Sequence, residues 1–349
     1  MEFLFGYGLF LAKAVTFIVT VAAVLITIIA ITSKQKNKKG EIELTDLSEQ
    51  FTETKKSIEE QLLSEAQLKE RHKKEKKQQK EKHKLDKKQA KSGEATNALA
   101  NLYVIDFKGS IDAKEVASLR EEITAILSVA NEKDEVFVRL ESGGGMVHGY
   151  GLAASQLQRL KDNNIPLTIS VDKVAASGGY MMTCIADKII AAPFAILGSI
   201  GVIAQIPNFN KVLKKHDIEF EQLTAGDYKR TLTMFGENDD KGRDKFKQEL
   251  QETHDLFKHF VSEHRPIIDI EKVATGEHWY GLQAIKLNLA DKISTSDDYL
   301  LSHLDERHIV HIKYAQRKKL ADKLGHSASL AFESSLLKLM QLNINRLYK

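Results

Sequence analysis

The distribution of hydrophobic positions divides the chain into stretches of different character. From Ala14 to Ile31 the run AVTFIVTVAAVLITIIAI carries no charge. With the apolar residues ahead of Lys13 it reaches the ~20 residues that a bilayer-spanning helix requires. A cleaved signal peptide would have a shorter apolar core and a small-residue cleavage site, whereas this run ends in TSKQKNKK. A retained transmembrane anchor over residues 1–39 is the expectation. Residues 40–98 hold almost no core-forming positions. Leu62, Leu63, Leu68 and Leu85 are too sparse to make an apolar face, which predicts a charged helical stalk or linker.

Globular patterning begins near Leu99. LYVIDF has strand length, and Asp112 and Glu115 stand at capping-box spacing ahead of Val116, Leu119, Ile123, Ile126 and Leu127 on one helical face. VFVRLE reads as a second strand ending in Gly143 to Gly145, followed by a helix from about His148 to Lys161. The strand PLTISVD, a strand-to-helix junction at Ser177, KIIAA and ILGSIGVIA complete this half. Strands alternating with helices in this order predict an α/β fold with largely parallel pairing, whose active groups collect at strand ends. Further on, IEFEQLT has the alternation of a strand and Asp240 to Glu263 that of a long amphipathic helix carrying Phe246, Leu250, Leu256, Phe257 and Phe260. Ile270 to Ala290 reads as two short helices around HWYG, and HIVHIKY as a last strand. A basic, then amphipathic tail occupies 313–349, suited to a partner subunit or a membrane surface.

Charge changes this picture only locally. The formal net charge of the 349-residue chain is +3, but Lys69 to Lys91 holds twelve Lys or Arg against four Asp or Glu. Without aromatics for stacking or a nucleic-acid module, that run reads as a solvated spacer, and no nucleic-acid partner is expected. Lys34, Lys36, Lys38 and Lys39 after the apolar run favour a cytoplasmic location for everything beyond residue 32. The single cysteine, Cys184, excludes an intramolecular disulfide and a cysteine-based zinc site.

Candidate chemistry centres on VAASGGY. Ser177 stands at a helix start, where unpaired N–H groups can meet an oxyanion. The same residues also suit an ordinary turn. A serine nucleophile needs a base. His148, the histidine nearest a glycine loop, sits in a helix start and reads as a surface or capping group, and no histidine occurs between Pro193 and Lys215. A lysine base must be desolvated; Lys229, in TAGDYKRTL, lies beside a tyrosine and near a glycine, although a solvated lysine there is the ordinary case. Cys184 reads as a buried structural thiol, and Trp279 with Tyr280 as a core pair or part of a substrate groove.

LESGGGMVHGYG, VAASGGYMMTCIADKI, LGSIGVI, TAGDYKRTL and ATGEHWYGLQAIKLNLAD occur in the order and approximate spacing of the S49 peptidases. From the N-terminus to about residue 312 the chain resembles this family, the signal-peptide-peptidase-A group. The resemblance implies a ClpP/crotonase-like fold over 99–312 and a Ser-Lys dyad. Ser177 would be the nucleophile, Lys229 the general base and Ser199 the serine that hydrogen-bonds it, with Gly145 and Gly178 supplying the oxyanion-hole N–H groups. It implies no metal or cofactor, and apolar or extended peptides as substrates. It further implies a ring-like homo-oligomer in which Ser177 and Lys229 of one site come from adjacent subunits. The setting would be single-pass in a bacterial inner membrane, lipid-bound through the N-terminal helix. It places the catalytic domain in the periplasm, against the lysine bias. The family's usual Ser-Pro-Gly-Gly reads Ser142-Gly143-Gly144-Gly145 here, which would loosen that loop without removing an N–H. Two other readings share these residues. A crotonase-like acyl-CoA enzyme would need carboxylates in the site, of which Glu141 is the candidate; a non-catalytic S49-fold scaffold would be a decayed relative.

Overall fold

Parallel strands with both faces covered read as unbroken apolar runs, and the centre of this sheet does so. In the computed structural model, which describes residues 2–33, 40–64, 67–70, 73 and 99–315, β4 (Leu167–Val171) is buried at every position. It lies between β3 (Glu135–Glu141) and β6 (Lys188–Ala191). The full order of the seven-stranded sheet is β1 (Glu41–Asp46), β10 (Arg307–Ala315), β2 (Ala100–Lys108), β3, β4, β6 and β9 (Lys292–Ile293). The pairings from β10 through to β9 are all parallel, with Val104 beside Phe137 and Ile169 beside Ile189. A smaller sheet holds β5 (Val174–Ala176), β7 (Ile196–Gly198) and β8 (His278–Tyr280), with β7 parallel to β5 and antiparallel to β8. A bridge between Ser142 and Ala175 stitches the end of β3 to this second sheet. That stitch brings the two glycine-rich loops together.

The helices follow the α/β pattern. α3 (Val116–Leu127) packs on α4 (Val147–Asp162), and α4 on α5 (Gly178–Thr183). Val116, Leu119, Ile123 and Ile126 of α3 and Ala153, Leu157 and Leu160 of α4 enter one core with the sheet. Each Val, Leu or Ile among them contributes roughly 1.5–3 kcal/mol on full burial. The capping box expected at Asp112 and Glu115 does not form. Glu115 is itself the residue before α3, and its carboxylate accepts from Ser110 N–H at 3.0 Å and Ser110 Oγ at 2.7 Å. Ala113 turns through φ 51°, so the loop Ser110–Ala113 presents nearer donors than the helix does.

Three elements depart from local periodicity. IEFEQLT forms no strand; the regular structure nearest it is α6 (Asn210–Lys215), and residues 218–224 stay exposed. Its alternation had no sheet edge to join. HWY, placed between two helices, is strand β8, flanked by α8 (Ile270–Val273) and α9 (Gly281–Ala284). The sheet also begins earlier than Leu99: β1 pairs beside β10, and α2 (Leu47–Leu62) sets Leu47 and Phe51 against a second core cluster containing Leu102, Phe137 and Tyr299. Asp46 Oδ2 meets His308 Nε2 at 2.7 Å, fastening this join. Most of the basic run and everything after residue 315 lie outside the described residues.

The chain divides into two units, 42–314 and the remainder. Within the remainder, α1 (Glu2–Ser33) is one continuous helix of 32 residues. Its described side chains, 6–21 and 24, are exposed but for a half-buried Ala14. Among the described residues no helix is long and apolar enough to cross a membrane.

Candidate active site

Ser177 sits between β5 and α5 with φ 52° and ψ −120°. This backbone geometry is costly for a residue with a side chain, by about 1–3 kcal/mol, and persists only where surroundings over-determine it. They do so here. Ser177 N–H donates to Gly198 O at 2.8 Å, Ala176 N–H to Ser142 O at 3.0 Å, and Met181 N–H to Ser177 O at 3.0 Å. α5 beyond it is wholly buried. The strained turn leaves Ser177 half-buried at the head of the helix, the placement that exposes a nucleophile beside helix-start donors.

The two glycine loops meet at this serine. Gly144 has φ 87°, and a Cβ on it would fall 2.7 Å from Ser177 Cβ and 2.7 Å from Gly178 N. A Cβ on Gly145 would fall 2.0 Å from Ile111 O, the carbonyl that accepts Met146 N–H at 2.8 Å. One on Gly178 would fall 2.4 Å from Tyr150 Cγ. Glycine is required at all three by space, and at Gly144 by φ as well. Among the described residues neither Gly145 N–H nor Gly178 N–H donates to a protein acceptor, so both remain for an oxyanion.

Gly143 differs from its neighbours. A Cβ there meets nothing within 4 Å and its φ lies outside the left-handed region. Gly143→Ala is expected to raise stability by about 0.4–1 kcal/mol through the unfolded chain, with peptide hydrolysis unchanged; thermal unfolding and turnover of the variant check it.

In front of Ser177 lies a cavity of about 80 Å³ lined by Gly145, Val147, Gly178, Met181, Gly201, Val202, Ile203, Thr253 and Phe257. Thr253 and Phe257 come from α7 (Asp240–His264), 76 and 80 residues after Ser177. Thr253 Oγ1 donates to Glu249 O at 2.8 Å, and the other side chains Val147, Met181, Val202, Ile203 and Phe257 make the recess largely apolar. α7 also brings His254 Nε2 to Ile200 O at 3.2 Å. Local periodicity marked α7 as amphipathic but not which residues its apolar face would meet. Phe257 and Val261 are buried in it, whereas Leu256 is exposed.

The remaining assigned residues are placed unequally. Ser199, with φ 49°, follows Gly198 and so lies one residue from the carbonyl that holds Ser177 N–H; its own N–H donates to Glu277 O at 2.7 Å. Lys229 is elsewhere. It is exposed, on a turn closed by its N–H to Gly226 O at 3.3 Å, and is not among the walls of the Ser177 cavity. Its neighbour Tyr228 is held by the ammonium groups of Lys241 and Lys245, 5.5 and 5.6 Å from the ring centre.

Other candidates fall away. His148 is exposed on the first turn of α4. Burial pushes the Cys184 thiol up to about 12, so it holds no thiolate. Glu141, needed by an acyl-CoA reading, pairs with Lys173 at 3.3 Å and Lys108 at 3.5 Å in a separate polar recess. Trp279 packs on the core beneath Gly198, and Tyr280 is half-exposed against Phe194. No cluster of metal-ligating side chains occurs among the described residues.

A serine on a strained strand-to-helix turn, facing backbone N–H groups without a protein acceptor within a mixed α/β fold, is an arrangement suited to acyl transfer. Comparison with known proteins makes this specific: residues 2–157 match the peptidase family S49 N-terminal region and residues 159–310 match peptidase family S49. The chain belongs to peptidase family S49 and is a protease. It is 55% identical over 329 residues to the Probable protease SohB of Haemophilus influenzae, covering 94% of this chain and 93% of that one. It is 52% identical over 339 residues to the Probable protease SohB of Buchnera aphidicola subsp. Acyrthosiphon pisum, covering 97% and 98%. A more distant match, 26% over 213 residues, is Protease 4 of Haemophilus influenzae, with 59% of this chain and 34% of that one covered.

Proposed function

We propose that the chain is a membrane-anchored serine endopeptidase acting through a Ser177–Lys229 dyad on apolar, extended peptides such as signal-peptide or membrane-protein fragments. The observation that carries this is the Ser177 turn itself, aimed at an apolar recess flanked by the unengaged N–H groups of Gly145 and Gly178. Neutral Lys229 takes the Ser177 proton, Ser177 attacks the peptide carbonyl, and the oxyanion rests on the two N–H groups. Lys229 then protonates the leaving amine, and water resolves the acyl-enzyme. Ser199 hydrogen-bonds the lysine.

Lys229 reaches this site from a second copy of the chain in a ring-like oligomer. Two features support that arrangement: the lysine does not line its own chain's recess, and its segment exposes Phe220, Leu223 and Phe235 to solvent. The uncharged run from Ala14 to Ile31, within α1, supports a single inner-membrane span. The catalytic unit then faces the periplasm, in line with the resemblance to signal peptide peptidase A.

The test is casein hydrolysis by the detergent-solubilised full chain, with Ser177→Ala and Lys229→Ala alongside. Wild type alone cleaves. Cleavage that survives in Ser177→Ala overturns the assignment.

A further inference from the structure

We infer that Tyr150 is the positioning residue that holds the two halves of the oxyanion hole against each other. The inference rests on the reading of Ser177 as nucleophile and extends it to Tyr150, a residue of the LESGGGMVHGYG stretch to which no role has been given above.

Tyr150 is fully buried on α4 and touches both loops. Its hydroxyl has one proton, and Ser110 O, 2.9 Å away, accepts it. The contact between Tyr150 Oη and Ser142 Oγ, at 2.5 Å, must therefore run the other way, with Ser142 donating. Ser142 Oγ in turn accepts Gly144 N–H at 3.1 Å. A single directed chain results: Gly144 N–H to Ser142, Ser142 to Tyr150, Tyr150 to the Ser110 carbonyl. Each link polarises the next, and in a buried site the sequence is stronger than its separate bonds. Ser142 is 2% exposed, so water does not compete. Burial holds the Tyr150 phenol above its ordinary value, which keeps its donor proton in place.

The far end of the chain is anchored as well. Ser110 N–H donates to the Glu115 carboxylate at 3.0 Å, and its hydroxyl lies within reach of both the Asp112 and Glu115 carboxylates. At the near end, Gly144 leads directly into Gly145, whose N–H is one oxyanion donor. The Tyr150 ring meanwhile lies against Gly178, so closely that a Cβ there would fall 2.4 Å from Cγ and 2.7 Å from Cδ2. One side chain thus sets the Gly145 donor through its hydroxyl and the Gly178 donor through its ring. A hole built from two loops distant in sequence needs such a gauge, because misplacement by a fraction of an ångström weakens a transition-state hydrogen bond.

The experiment compares Tyr150→Phe, Ser142→Ala and the double variant with wild type in the detergent-solubilised full chain. Ser177→Ala and Tyr299→Phe serve as references; Tyr299 is a buried tyrosine whose hydroxyl binds Glu135 on the opposite side of the sheet. The readouts are kcat, KM, inhibition by a peptide aldehyde, which adds Ser177 as a hemiacetal, and thermal unfolding. Tyr150→Phe and Ser142→Ala are each expected to lower kcat about tenfold with KM within about twofold, and to weaken the aldehyde by the kcat factor. The double variant is expected to lose no more than either single one, since both break the same chain. Ser142→Ala adds no bulk and carries the prediction by itself should Tyr150→Phe fold poorly. Unchanged kcat and aldehyde affinity, losses that multiply in the double variant, or an equal loss in Tyr299→Phe would each overturn the inference. Full activity in Ser177→Ala would instead overturn the reading on which it rests.

Discussion

Chains carrying Ser177→Ala and chains carrying Lys229→Ala are expected to be inactive separately and to recover activity when co-expressed. If each site takes its serine from one copy and its lysine from the next, random assembly at equal amounts restores about a quarter of the sites. The reason lies in the placement of the two residues. Ser177, Gly145 and Gly178 line one recess, whereas Lys229 occupies an exposed turn that does not line it. The segment bearing that turn is largely exposed, with Leu223 92% and Phe220 44% accessible. Apolar side chains so displayed in series mark a surface that another protein covers. A heterologous, head-to-tail contact closing into a ring would cover them and carry Lys229 into the neighbour's recess. Mixed populations that stay silent, beside an active wild type, would place the base within the same chain. The measurement is casein hydrolysis by affinity-purified mixed assemblies, each variant bearing a different tag.

The second large effect is expected at Gly178. Gly178→Ala would put a methyl group 2.4 Å from Tyr150 Cγ, and that ring is fully buried. Overpacking of this kind costs about 1–3 kcal/mol. The larger consequence is chemical. Relief requires Gly178 to move away from Tyr150, taking its N–H with it, and loss of one oxyanion donor lowers kcat by about 10²–10³. Gly143→Ala, one loop away, meets open space and is the paired control. Urea unfolding measures the first effect and kcat the second. A Gly178→Ala protein with wild-type kcat would remove Gly178 from the oxyanion hole.

Much of this architecture was legible in the chain. The strands from LYVIDF to KIIAA and the helices between them stand where period-2 and period-3.6 patterns placed them, because one buried face per element leaves a local imprint. Ser177 and both glycine loops were visible for a similar reason. A strained turn and two close backbone approaches require small residues, and small residues in series are conspicuous. IEFEQLT shows where such reading stops. Alternation describes a side chain's preference for a face, and no strand forms without a sheet edge to receive it.

The amino-acid sequence by itself determined the alternating strands and helices from LYVIDF to KIIAA, their order and the small-residue turn at Ser177, all of which depend on neighbours a few residues apart. The tertiary structure decided which distant residues share the site. It brought Gly144 onto Gly178, placed Thr253 and Phe257 across from Ser177, and set Tyr150 against both loops. It also drew Glu41–Asp46 into the sheet and left Lys229 outside the recess. These are contacts between segments tens to hundreds of residues apart. No local period encodes them, since each depends on the packing of the whole sheet and on the single register that buries it.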